Sequence, residues 1–338
     1  MIYFDVTKAG AAGHRSGLMR VSARLADGLR AAATEVRWPE WNRAVRMDDW
    51  FFTGELFSEE ERPGFSEFLA ARRCRLAAIF HDAIPLKHPH ITWPQSVARH
   101  PGYMKLLARF DRVWAVSEAS RADLLGFWRW QGVEKNPPIE VLALGADFTP
   151  APRGSIRPPS AVLSLLCVGI LEPRKNQAFL LEVCEELWGE GLRFELHVVG
   201  RVNPHFGQPL VARLKALRKK FPGLRFHEAA SDAEVTQLYA TARASVFPTI
   251  TEGCGLPLLE SLWMGVPCVC SDLPVLRENA DGGGCLPVAL NDRAAWRDAL
   301  RRILTDNALH TRLTREATTR PLPTWSDAAQ TLRRALGA

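Results

Sequence analysis

The sequence predicts an α/β protein of two domains, each a parallel sheet with helices between its strands. Three observations carry this. Short apolar runs alternate with segments of helical period along most of the chain. The rhythm breaks at a stretch rich in proline and arginine, Thr149 to Ser160, and then starts again. A length of 338 residues suits about two domains. We therefore expect a first domain over 1–150 and a second over 151–324, with a last helix over 325–336 returning to the first.

Composition sets the bounds. A hydrophobic content of 47% with 24% charged residues is ordinary for a soluble globular chain. No apolar run approaches the roughly 20 residues a bilayer requires, and no signal peptide precedes the first strand. A cytoplasmic protein is expected, with peripheral membrane contact left open by a net charge of +6. That charge suits nucleotides, lipid headgroups or nucleic acid, and its even spread selects none of them. Seven cysteines with no Cys-x-x-Cys pair read as free thiols in a reducing compartment. Cys268 and Cys270 alternate along an apolar strand and read as packing residues, not metal ligands.

In the first half, Ile2 to Val6 reads as a buried strand, followed by a loop with Gly10, Gly13 and Gly17. A helix follows from about Leu18 to Ala32, with Leu18, Val21, Leu25 and Leu29 on one face. The glycines do not form the Gly-x-Gly-x-x-Gly dinucleotide fingerprint, which disfavours an NAD-dependent dehydrogenase. The loop is either a turn over a ligand cleft or a plain tight turn. After a tryptophan-rich stretch (Trp38, Trp41, Trp50), Ser58 to Arg72 reads as a helix. Leu76 to Phe80 is a strand that ends at His81-Asp82, where α/β proteins turn side chains toward ligands. His88 and His90 have no second ligand group nearby and read as solvated loop. Trp93 to Arg109 reads as a helix and Arg112 to Val116 as a strand. Ser117 reads first as a helix N-cap and second as a ligand contact. Ile139 to Leu144 closes this half.

The second half opens with a strand from Leu163 to Val168 ending at Gly169, a helix from Gln177 to Trp188, and a strand from Phe194 to Val199 ending at Gly200. Arg174 and Lys175 stand between a strand end and a helix start. They read either as a grip on a diphosphate, Arg as a fork and Lys as a point charge, or as a solvated basic turn. Arg213 to Lys220 is basic but lies on an amphipathic helix, so it reads as a solvated face. Leu224 to His227 is a strand, and Ser231 with Glu234 has capping-box spacing. Ala244 to Pro248 is the strand that delivers Thr251-Glu-Gly-Cys-Gly-Leu-Pro-Leu-Leu-Glu260. Glu252 reads as loop and Glu260 as the first turn of a helix opened by Leu256-Pro257. Such a helix start is a ready site for phosphate, or simply a capped helix beside a surface loop. Val266 to Cys270, Ser271 to Glu278, Asn291 to Thr305 and Trp325 to Leu336 complete the pattern.

Five of these signals, in order, resemble a glycosyltransferase of family 4. They are His81-Asp82, Ser117-Glu118-x-Ser120, Gly169-x-x-x-x-Arg174-Lys175-Asn176, Glu252 through Glu260, and Ser271-Asp272-x-Pro274-x-x-x-Glu278. The likeness is strongest from about 163 to 279. It implies the GT-B fold, two facing Rossmann-like domains with a nucleotide-sugar donor held mainly by the second. It implies a retaining transfer of a hexose, from a GDP- or UDP-sugar, to a glycan or glycolipid acceptor in bacterial surface polysaccharide assembly. By the same resemblance Arg174 and Lys175 neutralise the diphosphate and Glu252 accepts bonds from sugar hydroxyls. Gly253, Cys254, Gly255 and Leu256 lie near sugar and phosphate, Glu260 takes the ribose hydroxyls, and His81 faces the transferred sugar. Gly13, Gly169 and Gly200 are taken as ligand-binding glycines, and the Gly10 to Gly17 loop closes over donor or acceptor. No cofactor, no divalent metal and no nucleic-acid partner are expected. The first loop departs from the family's Gly-Gly or Gly-Ile-x-Arg, reading Gly13-His14-Arg15-Ser16-Gly17-Leu18-Met19-Arg20. Arg20 matches the family's arginine, and His14 and Arg15 have no assigned role. A nucleotide-sugar epimerase or hydrolase, and a non-catalytic nucleotide-sugar-binding protein, are the other readings.

Overall fold

The structure, a computed structural model, describes residues 1–10, 17–39, 45–149, 153–154 and 162–337. It divides into two compact units. One is Met1–Gly145 with Pro323–Ala338, the other Ala146–Leu322. The chain is α/β, with two six-stranded sheets whose registered strand pairs are all parallel.

The first unit opens with β1 (Ile2–Asp5), α1 (Gly17–Leu29), β2 (Ala33–Val36) and β3 (Trp50–Thr53). It continues with α2 (Phe65–Ala71), β4 (Arg75–Phe80), α3 (Ile84–Lys87), α4 (Pro94–Leu107), β5 (Arg112–Ala115), α5 (Glu118–Trp130) and β6 (Ile139–Val141). Its sheet order is β2-β1-β3-β4-β5-β6. The helix expected over 58–72 is shorter. Pro63 and a left-handed Gly64 (φ 77°) delay its start to Phe65, and turns fill the preceding residues. Strands β2 and β3 fall where none was expected. All four residues of β3 are buried, so it shows no alternation to read.

The second unit runs through β7 (Ser164–Val168), α6 (Gln177–Gly189), β8 (Glu195–Val199), α7 (Gln208–Lys220), β9 (Leu224–His227), α8 (Asp232–Thr241) and β10 (Ala244–Phe247). Then come α9 (Leu256–Trp263), β11 (Cys268–Ser271), α10 (Pro274–Ala280), β12 (Cys285–Val288), α11 (Arg293–Thr305) and α12 (Asn307–Thr319). The order is β12-β11-β10-β7-β8-β9. Strand β12 and helix α12 were not expected. Proline sits inside β12 at Pro287, which an edge strand tolerates. Ser231 caps α8 in a full capping box with Glu234.

The last helix, α13 (Trp325–Leu336), packs on α1. Gly28 of α1 lets them approach, since a Cβ there would lie 2.7 Å from that of Ala329. The guanidinium of Arg112 donates to the Ala335 carbonyl at 3.0 Å and ties the helix end down. All seven cysteines are free, and Cys268 and Cys270 are buried. Among the described residues, no helix is long and apolar enough to cross a membrane.

Candidate functional site

The second sheet reverses its direction of growth between β7 and β10. Strands β7, β8 and β9 step one way across it, and β10, β11 and β12 step the other. Outside the carboxyl ends of strands at such a switch, open α/β sheets have their ligand crevice. The loops after β7 and β10 carry Arg174, Lys175 and Glu252. Pro173–Lys175 form one 3-10 turn, ended by Asn176 in the left-handed region (φ 57°). The N–H of Ile250 donates to the Arg174 carbonyl at 2.8 Å and clamps the two loops together.

Glu252 is where the loops meet through side chains. Its Oε1 accepts from Lys175 Nζ at 2.6 Å and from Thr249 Oγ1 at 2.7 Å. Its Oε2 accepts from Arg174 Nη1 at 3.0 Å. Arg174 also holds Glu172 at 2.7 Å, and Glu172 accepts from Asn203 at 3.1 Å. The Lys175 ammonium lies 5.0 Å from the centre of the Phe247 ring. Burial alone would push the Glu252 carboxyl up. The charges of Lys175 and Arg174, with bonds from Lys175 and Thr249, outweigh it and hold the group below its usual range. Burial pulls Lys175 down, and the attraction of Glu252 offsets only part of that. Glu252 is thus a carboxylate at neutral pH and a poor general acid.

The segment from Gly253 to Glu260 leads into α9. Gly255 stands at its N-cap with φ 83°, a left-handed backbone that favours glycine, and a Cβ there would crowd the end of the Leu276 side chain at 2.6 Å. Pro257 occupies the first turn, where its missing N–H costs nothing. Burial, then Glu252, Glu278 and Glu260, push the Cys254 thiol up to about 12. It is a neutral filler and no nucleophile. Glu260 is buried on α9. Gly169 and Gly200 cross so closely that a Cβ on Gly200 would lie 1.9 Å from the Gly169 carbonyl oxygen. Their backbones, not side chains, shape the end of β8 against the loop after β7.

In the first unit His81 follows β4. Its Nε2 lies 2.7 Å from the Gly54 carbonyl, an acceptor only, so Nε2 carries the proton and Nδ1 the lone pair. Burial lowers its pKa against the pull of Gly54 and Asp82, which keeps the ring neutral. Ser120 Oγ donates to the His81 carbonyl at 2.9 Å. Ser117 is the N-cap of α5, accepting from Ser120 N–H. Gly13, His14 and Arg15 lie outside the described residues.

Residues 163–306 match the profile of the family described as Glycosyl transferases group 1. Over this span the chain is similar to the glycosyltransferases of that group. A serotype-specific mannosyltransferase of Escherichia coli, WbdA, is 31% identical over 239 residues, which cover 64% of this chain and 29% of that one. The chain thus spans less than a third of the length of that relative. A D-inositol 3-phosphate glycosyltransferase of Frankia alni is 28% identical over 88% of this chain and 81% of its own. Among solved structures, HepE of Anabaena, crystallised with UDP and glucose, superposes with a TM-score of 0.75 over 99% of both chains at 13% identity. That likeness carries the fold, and the fold is GT-B.

Several residues of this site were not singled out by sequence. Glu172 and Thr249 buttress Arg174 and Glu252, and Phe247 lies against Lys175. Phe247 ends the strand that delivers Glu252 and Thr249 follows it by two residues, and that position was the signal available. Also missed was a buried cluster in the first unit. There Arg62 pairs with Asp5 and, at 3.0 Å, with Glu55.

Proposed function

We propose that the chain transfers a hexose from a GDP- or UDP-sugar to a glycan or lipid-linked sugar, with retention at the anomeric carbon, in bacterial surface polysaccharide assembly. The observation that carries this reading is the meeting of Arg174 and Lys175 on one carboxylate at the switch point of the second sheet. A buried and a half-buried cation held within one carboxylate's reach fit a diphosphate, which offers the same oxygen acceptors with more charge. The mannosyltransferase relatives and a structural neighbour solved with UDP support the donor class.

In this reading the donor's diphosphate takes over the cations from Glu252. Glu252 is then released to accept hydroxyl bonds from the sugar, and the N-terminal end of α9 adds backbone donors to the phosphate. Glu260 accepts the ribose hydroxyls. As the bond from C1 to the diphosphate oxygen breaks, Lys175 and Arg174 meet the charge growing on that oxygen. The acceptor oxygen bonds to C1 on the face that the diphosphate leaves, and its proton passes to the departing phosphate. His81, neutral with its lone pair on Nδ1, accepts a hydroxyl of the transferred sugar. No divalent metal takes part, because fixed cations and a helix end do its work.

The test is incubation with GDP- and UDP-hexoses and oligosaccharide acceptors in EDTA, with nucleotide release and product anomeric form read by NMR. Retained configuration in EDTA is the expected result. Inverted product, or activity that needs added metal, overturns the mechanism. Release without transfer replaces it with a hydrolase.

A further inference from the structure

The first sheet has a switch point of its own, between β1 and β3. A cavity of about 170 Å³ opens there, its wall starting on the loops after those two strands at Lys8 and Phe57. Helix α4 and the residue before it close the other side with Trp93, Gln95, Arg99 and Tyr103. The geometry points to a subsite for one uncharged pyranose ring of the acceptor glycan, an inference that rests on the glycosyltransferase reading above.

Size comes first. Sites that engulf drug-sized ligands measure roughly 300–1,000 Å³, so this one suits a single ring and not a chain. Its lining is of two kinds. The rings of Phe57 and Tyr103 meet edge-to-face at 5.0 Å and form an aromatic floor, and Trp93 keeps 40% of its surface exposed at the mouth. A pyranose offers aromatic rings a flat patch of C–H bonds and keeps its hydroxyls at the edge.

The rim supplies partners for that edge. Glu61 accepts from Lys8 Nζ at 2.8 Å on one oxygen and from Arg99 at 3.1 Å on the other. Each oxygen keeps a second lone pair, a set suited to two neighbouring hydroxyls. Arg99 also pairs with Glu60 at 3.1 Å. The two cations and two carboxylates of the rim balance, so a phosphate would have to break pairs that a neutral polyol leaves intact.

The wall is pre-set. Glu55 accepts from the N–H groups of Lys8 and Ala9, at 2.9 and 2.8 Å, and from Arg62 at 3.0 Å. Arg62 is itself buried against Phe57 and Asp5. Through this carboxylate the loop after β1 is fixed to the loop after β3. His100, in the same wall, lies 2.8 Å from the Asp82 carbonyl, next in sequence to His81.

The test is saturation-transfer NMR of the full chain with methyl α-mannopyranoside, methyl β-glucopyranoside and methyl β-galactopyranoside, each in millimolar excess. Trp93→Ala and Gln95→Ala change exposed side chains, and nucleotide release from GDP- and UDP-sugars is followed in parallel. We expect transfer to the ring protons of at least one glycoside, lost in Trp93→Ala and weakened in Gln95→Ala. The acceptor KM should rise roughly tenfold or more while acceptor-free nucleotide release stays within about twofold of the parent. No transfer to any glycoside, or signals intact in both variants, overturns the subsite. Turnover of a nucleotide sugar with no glycoside signal removes the subsite and leaves the enzyme. Glycoside binding that needs Trp93, with no turnover of any nucleotide sugar, removes the enzyme and leaves the site.

Discussion

Lys175 and Glu252 stand 2.6 Å apart, nitrogen to oxygen, although one follows β7 and the other β10. Both are nearly shut off from water, and Arg174 holds the second carboxylate oxygen. The carboxylate here does what a diphosphate does in the proposed complex, since it keeps two mutually repelling cations side by side.

That exchange predicts opposite results for the two partners. Lys175→Ala leaves Glu252 buried with one cation, which costs about 3–5 kcal/mol of stability and lowers kcat by roughly 10²-fold or more. Glu252→Gln frees both cations, so the affinity for GDP or UDP holds or rises while transfer falls. Calorimetric titration with the nucleotide, beside initial rates, reads both. Equal loss of nucleotide affinity and rate in Glu252→Gln would remove its assignment to the sugar.

A finer test lies at Thr249. Its hydroxyl has one proton and three acceptors within reach, and Glu252 at 2.7 Å is nearest, ahead of the carbonyls of Arg174 and Thr251. Thr249→Val keeps the shape and removes that bond to a charged group, worth about 1.5–3 kcal/mol. A fall in kcat/KM of roughly 10–100-fold is expected, with the melting temperature changed much less than in Lys175→Ala. Unaltered turnover would show that Glu252 needs no third donor.

How much of this was legible follows from what each feature depends on. The helix start at Leu256-Pro257, the Ser231 capping box and the N-cap at Ser117 are local, and the structure has them at those residues. Strand β3 was illegible because burial on both faces erases the period of two. Helix α12 was missed because Asp306 ends α11 and caps α12 at once, so no loop separates them. The pairing of Glu252 with Lys175 could be guessed as proximity but not as a bond, because strand order decides it. The cluster of Asp5, Glu55 and Arg62 joins the end of β1 to the segment between β3 and α2, and nothing in the sequence marks Arg62 as buried.

Acid should weaken the fold. Burial, the largest influence on each, lowers the pKa of His81, His100 and His310. Unfolded histidine titrates near 6.5, so below that value the unfolded chain binds protons that the folded one refuses. Stability is therefore full above about pH 6.5 and declines as pH falls below it. The depressed Glu252 acts in the same direction further down, losing its contribution as pH drops below the ordinary carboxylate range. Urea midpoints should hold from pH 7.5 to about 6.5 and fall from there to about pH 5. A flat profile would mean these rings take up protons in the folded state.

Two glycines set apart packing demand from helix propensity. Gly126 lies within α5, and a Cβ there would meet nothing within 4 Å. Alanine lowers the freedom of the unfolded chain and favours the helix, so Gly126→Ala should add about 0.5–1 kcal/mol. Gly255 combines a left-handed backbone with Leu276 at 2.6 Å from the position a Cβ would take. Gly255→Ala is therefore strained in its backbone, and the side-chain ends of Leu276 and Asn279 must turn aside to admit the methyl group. A drop in stability of about 1–3 kcal/mol is expected, together with weaker nucleotide binding, since the strained turn leads directly into the N-terminal end of α9. Thermal melts with and without UDP or GDP measure both effects. A Gly255→Ala protein as stable as the parent would show that the turn before α9 has room the geometry denies.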